Sequence, residues 1–414
     1  MQSRQIAHII IEADTPLKVG SNNSDFLQDS PIQKDFNGLP MILGTSIAGV
    51  LRKDFDETKV NDVFGKENGS KVIISNALLL DDTQRVNEEL LPKKTRFLKL
   101  FDILPIREHV GITDKGVANN GAKFDEEVLY KGTRFKFSME MLDDEESFEE
   151  ILELLQSNTF RLGGGSTKGF GKVKVVSIST DTFDIESYEN YSSSLNHRLS
   201  QSFDLKEIES KNYTKYILNL TPDDFFMFGS GFGDGDADST QVYEDVIDYD
   251  ERSLKKKKIL IPASSIKGAI AHRTLFHYNS LKENTIEANN GVKLLETIFG
   301  EAKNTKEDKG FRGKVIFSDV YLEDKKQTKV FDHVSIDRFT GGAIDGVLFQ
   351  EKTIAQDDTF DIEILLHKDV KDKELKAFEK ALKDITTGML SLGAMTSKGH
   401  GVFSGSVTRN GMPL

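Results

Sequence analysis

Residues Leu162–Val173 read LGGGSTKGFGKV, and residues Leu392–Phe403 read LGAMTSKGHGVF. Leu162, Gly163, Lys168, Gly169 and Gly171 of the first run match Leu392, Gly393, Lys398, Gly399 and Gly401 of the second. A glycine-rich run with a lysine suits phosphate, because glycine adopts positive φ and lets a backbone approach a ligand closely. One such loop is a weak signal. Two, each near the end of half a chain, call for a common explanation.

Working outward, further blocks pair up in the same order. ILGTSIAGVLR (42–52) matches IPASSIKGAIAHR (261–273), and VFGKE from Val63 matches IFGEA from Ile298. KVIISNALLLDD (71–82) matches KVIFSDVYLED (314–324). HVGI from His109 matches HVSI from His333. Such order implies a tandem duplication. The polar, serine-rich stretch 183–212 reads as the linker, with domains expected at 1–204 and 205–414.

Each half alternates strand and helix. AHIIIEAD (7–14) and KYILNLT (215–221) open as strands. TSIAGVLRKDF and SSIKGAIAHRTLFHY begin with hydroxyl residues, expected as N-caps, and continue with helical apolar spacing. ESFEEILELLQS and KELKAFEKALKDI are amphipathic helices by spacing. Each glycine-rich loop leads into a last strand. The fold class expected is α+β, two tandem ferredoxin-like or RRM-like units.

The 414 residues suffice for two domains, and 37% hydrophobic with 29% charged residues suits a soluble globular chain. No apolar run reaches membrane-spanning length, and the N-terminus reads as a strand rather than a signal peptide, so a cytoplasmic protein without membrane partners is expected. The absence of cysteine excludes disulfides, thiolate nucleophiles and zinc ribbons. A net charge of -13 counts against a free-standing nucleic-acid binder but leaves room for a local basic groove. The lysine runs KKTRFLK (93–99) and KKKK (255–258) are most simply solvated faces.

Ser264 and Ser265 stand at a helix start, where N–H groups and the helix dipole favour anions, with Lys267 one turn in and Arg273 further along. Thr45 and Ser46 occupy the corresponding places in the first half, with Arg52 further along the same block. A Walker loop fits poorly: it ends in Gly-Lys-Ser/Thr between a strand and a helix, whereas here the helix precedes the loop and the strand follows. The Rossmann fingerprint fails for the same reason.

The helix-start and glycine-rich motifs, in this order in both halves, resemble the RAMP superfamily of CRISPR effector proteins. Within it, the chain is most similar to backbone subunits of type III complexes, and its two domains resemble the fused double-backbone form of type III-D. The resemblance implies guide crRNA and target RNA as ligands and other type III effector subunits as partners. It implies RNA contacts from Thr45, Ser46, Arg52, Gly163, Gly164, Gly165, Lys168, Gly169, Ser264, Ser265, Lys267, Arg273, Gly393, Lys398, Gly399 and His400, the last standing where Phe170 stands in the first half and able to stack on a base. It also implies that the segments around His109 and His333 are thumb hairpins that enter the guide–target duplex, with Ile112, Val117, Ile336 and Phe339 as wedges.

Family backbone subunits cut target RNA with an aspartate shortly before the helix-start motif. Asp35 holds that place in the first half. In the second, Ile247 followed by Asp250 repeats the spacing of Ile32 and Asp35, with Asp248 a near alternative and Asp245 a distant one. The resemblance thus implies a metal-dependent endoribonuclease, with Asp35 and Asp250 holding Mg²⁺ or Mn²⁺. The chemistry is plausible because RNA carries its own nucleophile, the 2′-OH, and a positioned carboxylate can hold a metal that stabilises charge on phosphate. A lone Asp, with a reference pKa of about 3.9, is a weak general base near neutrality. Two alternatives stand beside this reading: a scaffold that binds guide and target without cutting, and a guide-processing nuclease of the same superfamily.

FGSGFGDGDADS (228–239) has the alternating aspartates of a calcium loop without the terminal glutamate or flanking helices, and reads as a flexible acidic loop. The eight histidines show no metal-ligand spacing, and the matched His109 and His333 read as structural.

Overall fold

A computed structural model of the chain describes residues 3–20, 31–112, 118–281, 292–301, 310–323, 327–355 and 359–414. The chain forms two compact units. Unit 1 comprises residues 1–166, 170–210 and 246–255; unit 2 comprises 167–169, 211–245 and 256–414. The main passage between units thus falls just beyond the expected boundary. Two short segments are exchanged, which the repeat pattern does not predict.

Unit 1 runs β1 (Arg4–Ala13), α1 (Gly44–Asp54), β2 (Val72–Ile74), β3 (Ala77–Leu79), the hairpin β4 (Ile106–Ile112) and β5 (Ala118–Glu127), then β6 (Arg134–Leu142), α2 (Glu145–Leu155) and β7 (Val173–Phe183). Its antiparallel sheet has the order β3–β6–β1–β7, with β2 also on β6. This is the ferredoxin-like arrangement, in which the third strand lies between the first and second. Side chains alternate across β1. Ala7, Ile9 and Ile11 join Ile47 and Leu51 of α1 and Ile151, Leu152 and Leu155 of α2 in one core. Ile6 and His8 face the other way.

That second face is covered by the segment expected to be a linker. Ile6 packs with Phe183, Leu199 and Tyr191, and residues 201–202 pair with β7. The polar composition of 183–212 hides a few apolar anchors, and these make the segment part of unit 1 rather than a loose connection.

Unit 2 runs β8 (Tyr213–Pro222), the start of β9 (Tyr243–Asp248), the end of β10 (Ser253–Ile261), the rest of both strands belonging to unit 1, then α3 (Ala263–Leu281), β11 (Val315–Phe317), β12 (Val320–Leu322), the hairpin β13 (Thr328–Ile336) and β14 (Ala343–Ala355), β15 (Phe360–His367), α4 (Asp372–Thr386) and β16 (Phe403–Arg409). Its main sheet has the same order, β11–β15–β8–β16. Ile266 and Ile270 of α3 meet Phe378, Leu382 and Ile385 of α4 over that sheet.

The helix-start hydroxyls are not the caps. Gly44 N donates to Asn76 Oδ1 (2.9 Å), and Ala263 N donates to Asp319 Oδ1 (2.8 Å). Asn76 and Asp319 are repeat-matched residues between β2 and β3 and between β11 and β12. Each strand pair therefore satisfies one of the orphan N–H groups of the helix before it. Removing either cap should cost about 1 kcal/mol, as N-cap truncations do. Asn76→Ala and Asp319→Ala should lower the denaturant midpoint, whereas Asn76→Asp should hold it or raise it, because an anion suits a helix N-terminus.

Candidate nucleic-acid interface

The glycine-rich loops are shaped first by their own packing. Gly164 N donates to Lys18 O (2.8 Å), and the matched Ala394 N donates to Met227 O (2.7 Å). Gly163 (φ +79°) and Gly393 (φ +97°) sit so tightly there that a Cβ would lie 2.3 Å from Lys18 O or 2.4 Å from Met227 O. Within unit 2, Gly169 lies against Asp319 and Ala263 with no room for a Cβ. Gly399, in contrast, faces open space.

Thr45, Ser46 and Ser265 are exposed on the first helical turns, and Ser264 is half-buried. The start of α3 is less free for an outside anion than its sequence implies, because the buried carboxylate of Asp319 already occupies it. Lys267 is largely buried within unit 2, and its Nζ contacts Thr167 Oγ1 (3.3 Å). Burial, with the charge of Lys168 beside it, pushes its amine down to about 8.

Two expected RNA contacts are committed elsewhere. Arg52 donates to Gly65 O (2.8 Å) and Asn61 Oδ1 (3.1 Å), fastening the end of α1 to the following loop. Arg273 pairs with Asp384 of α4, which also meets His277 Nε2 (2.7 Å), and its guanidinium covers the Phe276 ring. Arg52 aligns with Ala271 rather than Arg273, so the two arginines are not repeat-matched, yet each found an internal carbonyl or carboxylate.

Each hairpin is rooted on a buried glutamate. In unit 1, Glu126 receives Lys18 Nζ (2.6 Å) and has His109 Nε2 at 3.1 Å, with His109 stacked on Phe124 at 5.0 Å. In unit 2, Glu351 is fully buried and meets His333 Nε2 (2.9 Å) and His400 Nε2 (2.8 Å), with Lys398 Nζ at 3.8 Å. His333 stacks on Phe349 at 4.8 Å, and Lys398 lies over the same ring. His400, 7% exposed and bonded to Glu351, is closed to base stacking, contrary to the sequence expectation. The loop residue Phe170 fills its place in unit 1, against Arg107 and His109. His109 and His333 are thus placed as structural residues.

Beyond the roots, apolar side chains stand in solvent: Val334, Leu348 and Ile336 along the second hairpin, and Phe339, 100% exposed, at its tip. Asp337 Oδ1 accepts the N–H groups of Phe339 and Thr340 (both 2.8 Å), which fixes the tip. In the first hairpin Ile112 pairs its backbone with Ala118, and Val117 lies outside the described residues.

Asp35 is half-buried in a turn that it closes itself, its Oδ1 accepting Asn37 N (2.8 Å) and Leu39 N (2.9 Å). Asp248 does the same with Asp250 N (2.8 Å) and Glu251 N (3.0 Å), and its Oδ2 meets Lys255 Nζ at 2.5 Å. That lysine and the two N–H groups hold its carboxyl below the usual aspartate range. Asp250 is exposed on the same turn. All three aspartates belong to unit 1, since residues 246–255 are exchanged, so the expected pair is not one per unit. Among the described residues no three His, Cys, Asp or Glu side chains stand together as a metal site. The acidic loop 228–239 is used internally: Lys352 pairs with Asp234 (3.0 Å) and Asp236 (2.6 Å), and Asp238 accepts Gln350 N (2.8 Å). Its carboxylates hold the loop to β14 rather than forming a calcium loop or swinging free.

Glu351 is the side chain on which the second hairpin depends. Burial pushes its carboxyl up, but the imidazoles of His333 and His400 beside it outweigh this and hold it below the ordinary glutamate range. A depressed carboxylate pKa stabilises above the unfolded value and is lost as pH falls through the folded one. Glu351→Gln should loosen β13–β14, seen as faster amide exchange there at neutral pH, and should flatten the loss of stability below pH ~4.5, where an ordinary glutamate takes up its proton. Unchanged exchange would remove Glu351 as the anchor.

The sequence model of the RAMP superfamily matches residues 10–174 and 244–404, one region in each repeat. No curated protein matches the chain. No described helix is long and apolar enough to cross a membrane. With matches over most of its length and two ferredoxin-like units in the expected order, the chain belongs to the RAMP superfamily of CRISPR-associated RNA-binding proteins.

Proposed function

We propose that the chain is a guide-RNA-binding backbone subunit of a type III CRISPR effector complex, and that it cleaves guide-paired target RNA through Asp35. The observation that carries this reading is the rooted hairpin with exposed apolar residues, Phe339 above all. Bare aromatic and aliphatic side chains on a stiff arm are costly in water. They are useful where they wedge between stacked bases, whose faces take apolar contacts without regard to sequence. The net charge of -13 is compatible with RNA binding when the basic groups, such as Lys168 and Lys267, are gathered in one groove. The partners are guide crRNA, target RNA and other effector subunits.

Asp35 suits a single-carboxylate role. Its Oδ1 is held by two N–H donors, and its Oδ2 accepts nothing among the described residues. Mg²⁺ commonly binds through one or two carboxylates plus phosphate oxygens and water. When bound, such a metal would stabilise charge developing on the phosphate attacked by the neighbouring 2′-OH, leaving a cyclic phosphate and a 5′-OH. The turn residues Asn37 and Leu39 fix Asp35, and a splayed nucleotide would present its 2′-OH in line.

The other half supports a different reading. Asp248 is neutralised by Lys255, and Asp250, exposed on the turn that Asp248 closes, is left as the second candidate. A scaffold role at that position is therefore the second reading.

The assembled complex should be tested on labelled complementary RNA, with Mg²⁺ and with chelator, using Asp35→Asn, Asp250→Asn and Asp248→Asn. Asp35→Asn should remove one product band and leave guide binding intact. Survival of every band in an Asp35→Asn/Asp250→Asn double variant would make the chain a scaffold. Phosphate contact should also read out through Lys267. RNA affinity should fall as pH rises from 7 towards 9, because the amine loses its proton near 8. Lys267→Met should bind more weakly and lose that pH dependence. The isolated protein should show the opposite trend, gaining stability over the same range, since its folded amine binds protons less well than the unfolded one.

A further inference from the structure

The outer face of the unit 1 sheet carries a cavity of about 140 Å³, lined by His8, Lys136, Ser177, Ser179, Asn196 and Arg198 among others. Strand register builds its floor. His8 pairs with Ser179 and Ile10 pairs with both Lys136 and Ser177, so these side chains share one face across three strands. The segment 196–199 forms its wall.

Its chemistry is one-sided. Lys136 and Arg198 make no ion pair among the described residues. Glu88, whose negative charge reaches Lys136 and His8, has both oxygens engaged by Ser194 Oγ (2.6 Å), Leu195 N (2.8 Å) and Asn196 Nδ2 (3.0 Å). The Ser177 and Ser179 hydroxyls bond to nothing among the described residues. His8 is 3% exposed, and its ring lies against the His197 backbone without a well-formed hydrogen bond from either ring nitrogen. Burial and the charge of Lys136 push His8 down to about 4, and burial pushes Lys136 down as well. Buried polar groups are normally satisfied. A face with two unpaired cations, two free hydroxyls and an orphaned imidazole lacks an anion with several acceptor oxygens.

We propose that this cavity binds a phosphate monoester. The volume is several times one water's share of the liquid, roughly 30 Å³, which leaves room for the phosphate and the first atoms of its ester. Ser177, Ser179 and His8 donate from the floor, while Lys136 and Arg198 supply the charge. The site lies outside the hairpins, glycine-rich loops and candidate aspartates, so it goes beyond the guide-binding reading and does not depend on it. The monoester belongs either to a free mononucleotide or to a strand terminus, and the two share the recognised group.

Calorimetric titration of the full chain with inorganic phosphate, with AMP, and with one oligoribonucleotide in 5′-phosphate and 5′-hydroxyl forms tests this. We expect saturable phosphate or AMP binding, or a preference for the phosphorylated strand over its hydroxyl twin; the first identifies a free ligand and the second a strand end. Lys136→Gln and the exposed Arg198→Gln should each weaken that binding about tenfold, the loss expected for one charge-assisted hydrogen bond. Arg198→Gln, at the surface, keeps the test valid where Lys136→Gln impairs folding. Absence of saturable phosphate or AMP binding together with no preference between the strands, or wild-type affinity in Arg198→Gln, would overturn the proposal.

Discussion

A carboxylate buried without a counter-charge costs several kcal/mol, and each unit buries one at the foot of its hairpin. Glu126 and Glu351 sit on the inner strand of the arm, so whatever neutralises them must be brought to that strand. In unit 2 the glycine-rich loop does this with Lys398 and His400, and the outer strand adds His333. In unit 1 Lys18 and His109 serve, and the loop contributes Phe170 as packing. The constraint thus couples three pieces far apart in sequence: the hairpin, the loop and the segment after the first strand. It also explains why the loop glycines are required for structure before any ligand is considered. The loop reaches the root only by pressing its backbone against Lys18 O or Met227 O.

The architecture was legible because it depends on local pattern repeated twice. Helix periodicity in 145–155 and 372–386, β-branched strands and the order of matched blocks suffice for two ferredoxin-like units. Cap assignment was not legible, because the acceptors lie 32 and 56 residues from the N–H groups they satisfy, and nearby hydroxyls offered an easier answer. The arginines misled for the same reason. Arg52 and Arg273 carry motif-like positions, yet their partners are decided by which carbonyl or carboxylate the tertiary fold brings near.

Composition concealed the role of 183–212. A polar, serine-rich stretch reads as a linker when averaged, but packing depends on single anchors such as Leu195 and Leu199. Covering the outer sheet face has a further effect. It encloses Lys136 and His8, which would otherwise be ordinary surface residues, and changes their protonation preference by removing water. No periodicity argument could have paired His8 with Arg198, because strand register and a covering segment bring them together.

The aspartates illustrate how a duplication can separate roles. In both copies the turn is closed by an aspartate Oδ1 that accepts two backbone N–H groups, at Asp35 and at Asp248. That job fixes a carboxylate in space and leaves one oxygen for other work. At Asp35 the second oxygen has no partner among the described residues. At Asp248 the lysine-rich stretch supplies Lys255, and the charge is neutralised. A salt bridge of this kind contributes little to stability when partly exposed, yet it strongly changes what the carboxylate can do for a metal or a phosphate. The turn tolerates the change because its backbone bonds use only the other oxygen, so structure places little restraint on divergence of chemistry at this position.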